Sequence, residues 1–208
     1  FGDQIGRCDQ EMERLTVALE STVDTSAYTA PKRGKSKNQP AGDWERLLYR
    51  SFGVDLTAVP AISVATAQVL LTEIGTDWSR FPTVSQFASW LTACPDNDTS
   101  GEKVLRRRTR RSSQRVKRAL RLAAMSLRQS KTALGEKFRR LRAHLGTPKA
   151  LTAMAHALAR IVWYMVTHKT AYNESIFVDN ERKYQERRRK RLLKEARALG
   201  FQLIQVNA

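Results

Sequence analysis

The chain has 208 residues, 37 Lys and Arg against 20 Asp and Glu, a net charge of +17 and a pI near 10.5. An apolar share of 41% supplies a core and excludes a chain disordered throughout, and the length allows one domain with attachments or two small ones. Two cysteines, Cys8 and Cys94, exclude a disulfide framework or a C-x-x-C metal knuckle and fit a reducing cytosol.

A surplus of cation this large calls for an anionic partner. Nucleic acid comes first, because cations that neutralise phosphates release condensed counterions; an acidic membrane surface is second. No long uninterrupted apolar span is present. The most apolar helix, residues 150 to 166, carries His156 and Arg160, so a transmembrane reading is rejected. His144, His156 and His168 stand twelve apart, which is not a whole number of helical turns, and they make a poor zinc site. The chain starts at Phe1 without a signal peptide pattern and reads as part of a longer protein.

Residues 1–23 form a predicted helix with an apolar seam, Ile5, Cys8, Met12, Leu15 and Leu19, at alternating three and four spacing. This is the coiled-coil pattern, and the seam expects a partner helix; a short amphipathic helix lying on its own domain fits the spacing equally well. Residues 24–43 read as a flexible basic linker rich in Pro, Gly, Ser and Lys, with Lys32, Arg33, Lys35 and Lys37. Asp43 then caps a short helix that turns Trp44, Leu47 and Leu48 inward. Residues 56–75 outline a degenerate helix-hairpin-helix: a helical approach, a tight Pro60-Ala61-Ile62-Ser63 turn, and an apolar helix stopped by Gly75. Thr83-Val84-Ser85-Gln86 is a capping box that opens a helix to Ala93, burying Phe87, Trp90 and Leu91.

A turn-rich loop follows, Cys94 to Gly101, and then a dense run of cations: Lys103, Arg106, Arg107, Arg108, Arg110, Arg111, Arg115, Lys117, Arg118 and Arg121, offset only by Glu102. A small hydroxyl beside a glycine, followed by guanidiniums suited to phosphate oxygens, fits chemistry on a phosphodiester. On composition alone the first reading is plainer: an exposed turn leading into a basic helix that is solvated or simply binds nucleic acid. Asp96 and Asp98 read as turn residues rather than metal ligands.

Ser112 or Ser113 caps a predicted helix reaching Arg128, with Val116, Leu120, Ala123, Ala124 and Leu127 inward and arginines outward. Residues 131–145 repeat the amphipathic pattern through Leu134, Phe138, Leu141 and Leu145. Thr147-Pro148 marks the next start, a capping hydroxyl before a proline, and Leu151, Met154, Leu158, Ile161, Val162 and Met165 follow as a broad stripe. The tail is a basic helix, including Arg187, Arg188 and Arg189, stopped at Gly200, with a short apolar end from Phe201 to Val206. No βαβ unit is legible, so the expected fold class is mainly α. It comprises a coiled-coil helix (1–23), a linker (24–43), a helical domain (44–175) and a basic tail (176–208).

Several ordered motifs resemble the C-terminal portion of the DEDD-type insertion-sequence transposases, the bridge-RNA-guided recombinases. They are Leu70-Leu71-Thr72-Glu73-Ile74-Gly75, Arg80-Phe81-Pro82, Cys94-Pro95, Ser100-Gly101-Glu102-Lys103, Leu145-Gly146-Thr147-Pro148-Lys149-Ala150, the helix around His156, and Leu199-Gly200-Phe201. The likeness covers about residues 44–208, with the coiled-coil helix before it. Ala61 and Ser63 stand where the family's hairpin has glycines, and Glu102 where a second glycine is common.

The resemblance implies a DNA recombinase in which Ser100 is the nucleophile, forming a covalent phosphoserine link. Thr99, Gly101, Lys103, Arg106, Arg107, Arg108, Arg110, Arg111, Arg115, Arg118 and Arg187 to Arg189 would then grip nucleic acid. It further implies donor and target DNA, a guide RNA, and Mg²⁺ held by a RuvC-like half lying outside these residues, with none bound by this stretch. A homo-oligomer joined through Ile5, Met12, Leu15 and Leu19 is expected, acting in the cytoplasm of a prokaryote at the nucleoid, without a membrane. The alternative is a non-catalytic nucleic-acid-binding module in which Ser100 merely turns the chain.

Overall fold

The computed structural model describes residues 2–19, 21, 23–26, 28–30, 40, 42–91, 98–100, 103–106 and 114–202, with the side chains of Asp98, Thr99 and Lys103 to Arg106 excepted. It is mainly α, as the sequence leads one to expect: eight described helices and one two-stranded ribbon. Contacts divide the chain into two units, Phe1–Tyr172 and Asn173–Ala208.

In the first unit, α1 (Gly2–Val17) buries no residue. It stops two residues short of Leu19, the last member of the predicted seam, so that leucine lies beyond the helix. Arg50 closes the end, its guanidinium donating to the carbonyls of Val17 at 3.0 Å and Leu19 at 3.3 Å, which ties α1 to α2 (Trp44–Phe52). The described part of the predicted linker is not without packing: Tyr28 stacks on Tyr49 of α2, ring centroids 4.2 Å apart. Lys32, Arg33, Lys35 and Lys37 lie outside the described residues.

Asp43 caps α2 as its position suggests, accepting from the Arg46 N–H, and Trp44 and Leu48 are buried while Leu47 is half-buried. A 3₁₀ turn (Leu56–Ala58) leads into the Pro60–Ser63 corner and α3 (Val64–Ile74). Ser63 takes the N-cap, its hydroxyl accepting from the Thr66 N–H. Ala61 adopts φ +84°, a conformation where a side chain costs about 1–2 kcal/mol. The corner therefore keeps the glycine-type backbone without the glycine. α4 (Val84–Trp90) begins with the full Thr83/Gln86 capping box. It buries Phe87 and Ala88, with Leu91 buried just beyond and Trp90 half-buried, and it ends three residues before Ala93.

α5 (Arg115–Ser126) starts later than expected. Gln114 occupies the N-cap without a side-chain cap bond; Ser112 and Ser113 lie outside the described residues. Val116, Leu120, Ala123, Ala124 and Leu127 are buried, as the 3.6-residue period requires. α6 (Ala133–Leu145) is capped by Thr132 and buries Leu134 and Phe138, but Leu141 is half-buried and Leu145 exposed, because the helix runs off the core at its end.

α7 (Thr147–His168) is the spine. Its first residue is Thr147, and the N-cap is Gly146, so the threonine hydroxyl does not cap it; φ +77° and ψ 163° at Gly146 form a corner open in practice to glycine alone. α7 packs against α5, α6 and α4, burying among others Met154, Leu158, Val162 and Met165. By length and composition it is apolar enough to cross a membrane, and half of its most apolar stretch is buried inside the fold. Trp163 donates its indole N–H to the Phe81 carbonyl at 2.9 Å, a buried bond spanning 82 positions. Around it Trp78, Phe81, Phe87 and Trp90 make a cluster of edge-on and stacked rings.

The second unit contains α8 (Ser175–Ala198), which buries no residue. It ends at a left-handed Gly200, where the Phe201 N–H returns to the Ala196 carbonyl at 2.8 Å in a Schellman-type closure. Phe201, the first residue of the apolar end, is exposed; residues 203–208 lie outside the described residues.

Ala61→Gly should stabilise the protein by about 0.5–1 kcal/mol, strain relief exceeding the added freedom of the unfolded chain, read as a higher urea midpoint at constant m. Burial lowers the His156 pKa, with Arg160 and Lys137 adding to the effect. The unfolded chain thus binds the proton more readily. Stability should be intact above the unfolded value of about 6.5 and fall as pH drops below it, and His156→Gln should flatten that slope in denaturation curves taken from pH 7.5 to 5.

Candidate nucleic-acid interface

The stretch of sequence between the buried Leu91 and the half-buried Gln114 is the excursion that carries Ser100. Its two flanks are joined: the Gln114 side-chain N–H donates to the Trp90 carbonyl at 2.7 Å. A second tie lies beside it, Arg115 Nη1 to Glu73 Oε1 of α3 at 3.1 Å. Arg115 is 69% exposed, so that ion pair contributes at most about 1 kcal/mol and chiefly orients the start of α5. The sequence gives no local signal for Gln114; its partner is 24 positions away.

Within the excursion, β1 (Asp98–Ser100) pairs antiparallel with β2 (Lys103–Arg106). The register sets Ser100 opposite Lys103 and Thr99 opposite Val104, and shifts between Asp98 and Thr99. Asp98 is accordingly a strand residue, not the turn residue its composition suggested. Ser100 is the last residue of its strand and is exposed. The Ser-Gly-Glu-Lys run carries a recognisable hairpin signal, glycine at the first position of a two-residue connection.

Among the predicted contacts, Gly101, Arg107, Arg108, Arg110 and Arg111 lie outside the described residues, and Thr99, Lys103 and Arg106 are placed by backbone only. Arg115 and Arg118 are exposed on the first turn of α5. Lys117 between them is half-buried, and burial pulls its pKa below the usual lysine value, Arg121 pushing the same way. Arg187, Arg188 and Arg189 are exposed on α8, in the separate unit. In α1, Ile5, Met12 and Leu15 are exposed, as is Leu19 past its end. Among the described residues no three His, Cys, Asp or Glu side chains converge as metal ligands do.

What the first unit offers chemically is an exposed serine at a strand end and, later in the chain, a helix whose first turn carries exposed cations. Gln114→Ala should remove about 0.5–1.5 kcal/mol of stability and speed protease cleavage within residues 92–113, read by mass spectrometry of limited digests.

Residues 55–140, from the 3₁₀ turn through most of α6, match the family model described as Transposase IS116/IS110/IS902 family. Among curated proteins the chain is similar to the insertion element IS110 uncharacterized 43.6 kDa protein of Streptomyces coelicolor, 31% identical over 119 residues. That alignment covers 56% of this chain and 29% of the relative, so it spans less than a third of the relative's length. The excursion bearing Ser100 falls inside the segment that is similar to IS110-family transposases.

Proposed function

We propose that the chain is the serine-bearing, DNA-acting portion of an insertion-sequence transposase of the IS110 kind. The observation that carries this reading is that the matched segment, residues 55–140, encloses an exposed serine at the end of a short strand, Ser100 of β1. The Ser100 Oγ attacks the phosphorus of a DNA phosphodiester, the hydroxyl proton passes to a base, and the bond to one deoxyribose oxygen breaks. The product is a phosphoserine ester and a free DNA hydroxyl. Attack by another strand's hydroxyl reverses the step, so exchange conserves bond energy.

A serine hydroxyl is a weak nucleophile without a base or a positive field. Arg115 and Arg118 are exposed on the helix that follows the ribbon and suit phosphate oxygens. Lys103, Arg106, Arg107, Arg108, Arg110 and Arg111 are assigned the same role from their places in the sequence. In this reading Mg²⁺ belongs to an acidic, RuvC-like portion of a longer protein. The partners are donor and target DNA and a structured guide RNA, with Arg187 to Arg189 of the exposed α8 as backbone contacts. Two copies pair through the exposed Ile5, Met12 and Leu15 of α1 with Leu19 beyond it, and the protein acts at the nucleoid in the cytoplasm of a prokaryote.

A second reading, a binding module without chemistry, is favoured by the charge of +17 alone. Ser100→Ala in the full-length transposase separates the two. The catalytic reading expects DNA affinity within about twofold of wild type and complete loss of the denaturation-resistant DNA adduct and of recombination; unchanged recombination would sink it. For the seam, Leu15→Asp should lower the mass seen by light scattering to that of a smaller assembly, and an unaltered mass would remove α1 from that role.

A further inference from the structure

The run Leu145 to Ala150 takes no part in the serine chemistry and lies past the matched segment. We propose that the cavity it helps to form, about 250 Å³ between the ends of α5 and α6 and the start of α7, seats one phosphate group of a nucleic-acid backbone between the guanidiniums of Arg128 and Arg142. Arg128 follows the end of α5 by two residues, and Arg142 lies in the last turn of α6. Gly146 alone joins α6 to α7, and Thr147 lines the same cavity as both arginines, Phe138 and Leu151.

The chemistry of the lining selects the ligand class. Two arginines and a threonine share the lining with Met125, Phe138 and Leu151, and no carboxylate is among the described residues that line the cavity. Between residues 115 and 149 eleven lysines and arginines stand against Glu136 alone, so the local field favours an anion. The volume is below the roughly 300–1,000 Å³ usual for organic ligands, which suits a phosphate rather than a nucleotide. No side chain caps the start of α7, and its partial positive charge adds to that of the arginines. Arginines at helix C-termini also offset helix dipoles, a role that predicts a loss of stability and no effect on phosphate. The nucleic-acid reading above supplies only the source of the phosphate.

The test uses the whole chain and two probes, inorganic phosphate followed by amide NMR and a fluorescent DNA duplex followed by anisotropy across a KCl series. Phosphate should shift the Thr147 and Lys149 amides in the wild type and not in Arg128→Gln/Arg142→Gln. In the duplex arm the double variant should reduce the slope of log K against log salt by about 0.9, the loss of one phosphate contact, while Arg7→Gln in α1 leaves it unchanged. Absent amide shifts, or an equal slope change in Arg7→Gln, overturn the seat. Phosphate binding with an unaltered slope overturns the nucleic-acid source and leaves a free anion as the occupant. If the double variant melts early, Arg142→Lys keeps the charge but loses the fork, and it should weaken phosphate binding severalfold; wild-type affinity there overturns the seat. Formation of the Ser100 adduct is a separate readout, so failure here does not imply failure there.

Discussion

Everything in the first unit leans on α7 being buried along most of its length. Nine of its residues are buried, from Ala150 to Val166, and they face α4, α5 and α6 together. A buried Leu or Met of this kind is worth about 2–5 kcal/mol on truncation to alanine, so Met154, Leu158 and Met165 outweigh any surface ion pair in the molecule. Trp163 adds direction to this packing. Its indole N–H satisfies a buried carbonyl at Phe81, which fixes the segment entering α4 against α7. Since α4 precedes the excursion and α5 follows it, one helix holds both of its roots.

Local signals in the sequence were enough for several elements whose partners lie within one turn. The Thr83/Gln86 box, Asp43 before Trp44, and the stripe through α7 all depend on neighbours three or four positions away. Boundaries that depend on distant partners were not legible. Gln114, at the start of α5, is held by the Trp90 carbonyl 24 positions away, a partner that no local pattern announces. Gly146 displaces Thr147 as the cap because the chain must turn from α6 to α7 in one residue. Leu145 and Leu141 look like core by period but fall where α6 outruns the surface it packs on.

For the site, composition pointed only to cations and a flexible hydroxyl; the role of Ser100 came from ordered motifs resembling a family. The short ribbon was not read from the sequence: Asp, Asn and Thr around Ser-Gly-Glu-Lys favour turns, and the stretch read as a loop. α1 and α8 show the other side of the same point. Their sequences specify helices, but neither buries a residue, and a helix that covers no core has little to hold it beyond its own ladder.

The knot at Trp90 and Gln114 has a further meaning for how such a protein can change over time. With Trp90 and Gln114 joined, the number of residues between them can change while both flanks stay in place. Each doubling of such a span costs only about 0.6 kcal/mol in closure entropy. Lineages can therefore lengthen or rewrite the stretch between these two residues, one position at a time or wholesale, while the helices on either side of it stay unaware of the change.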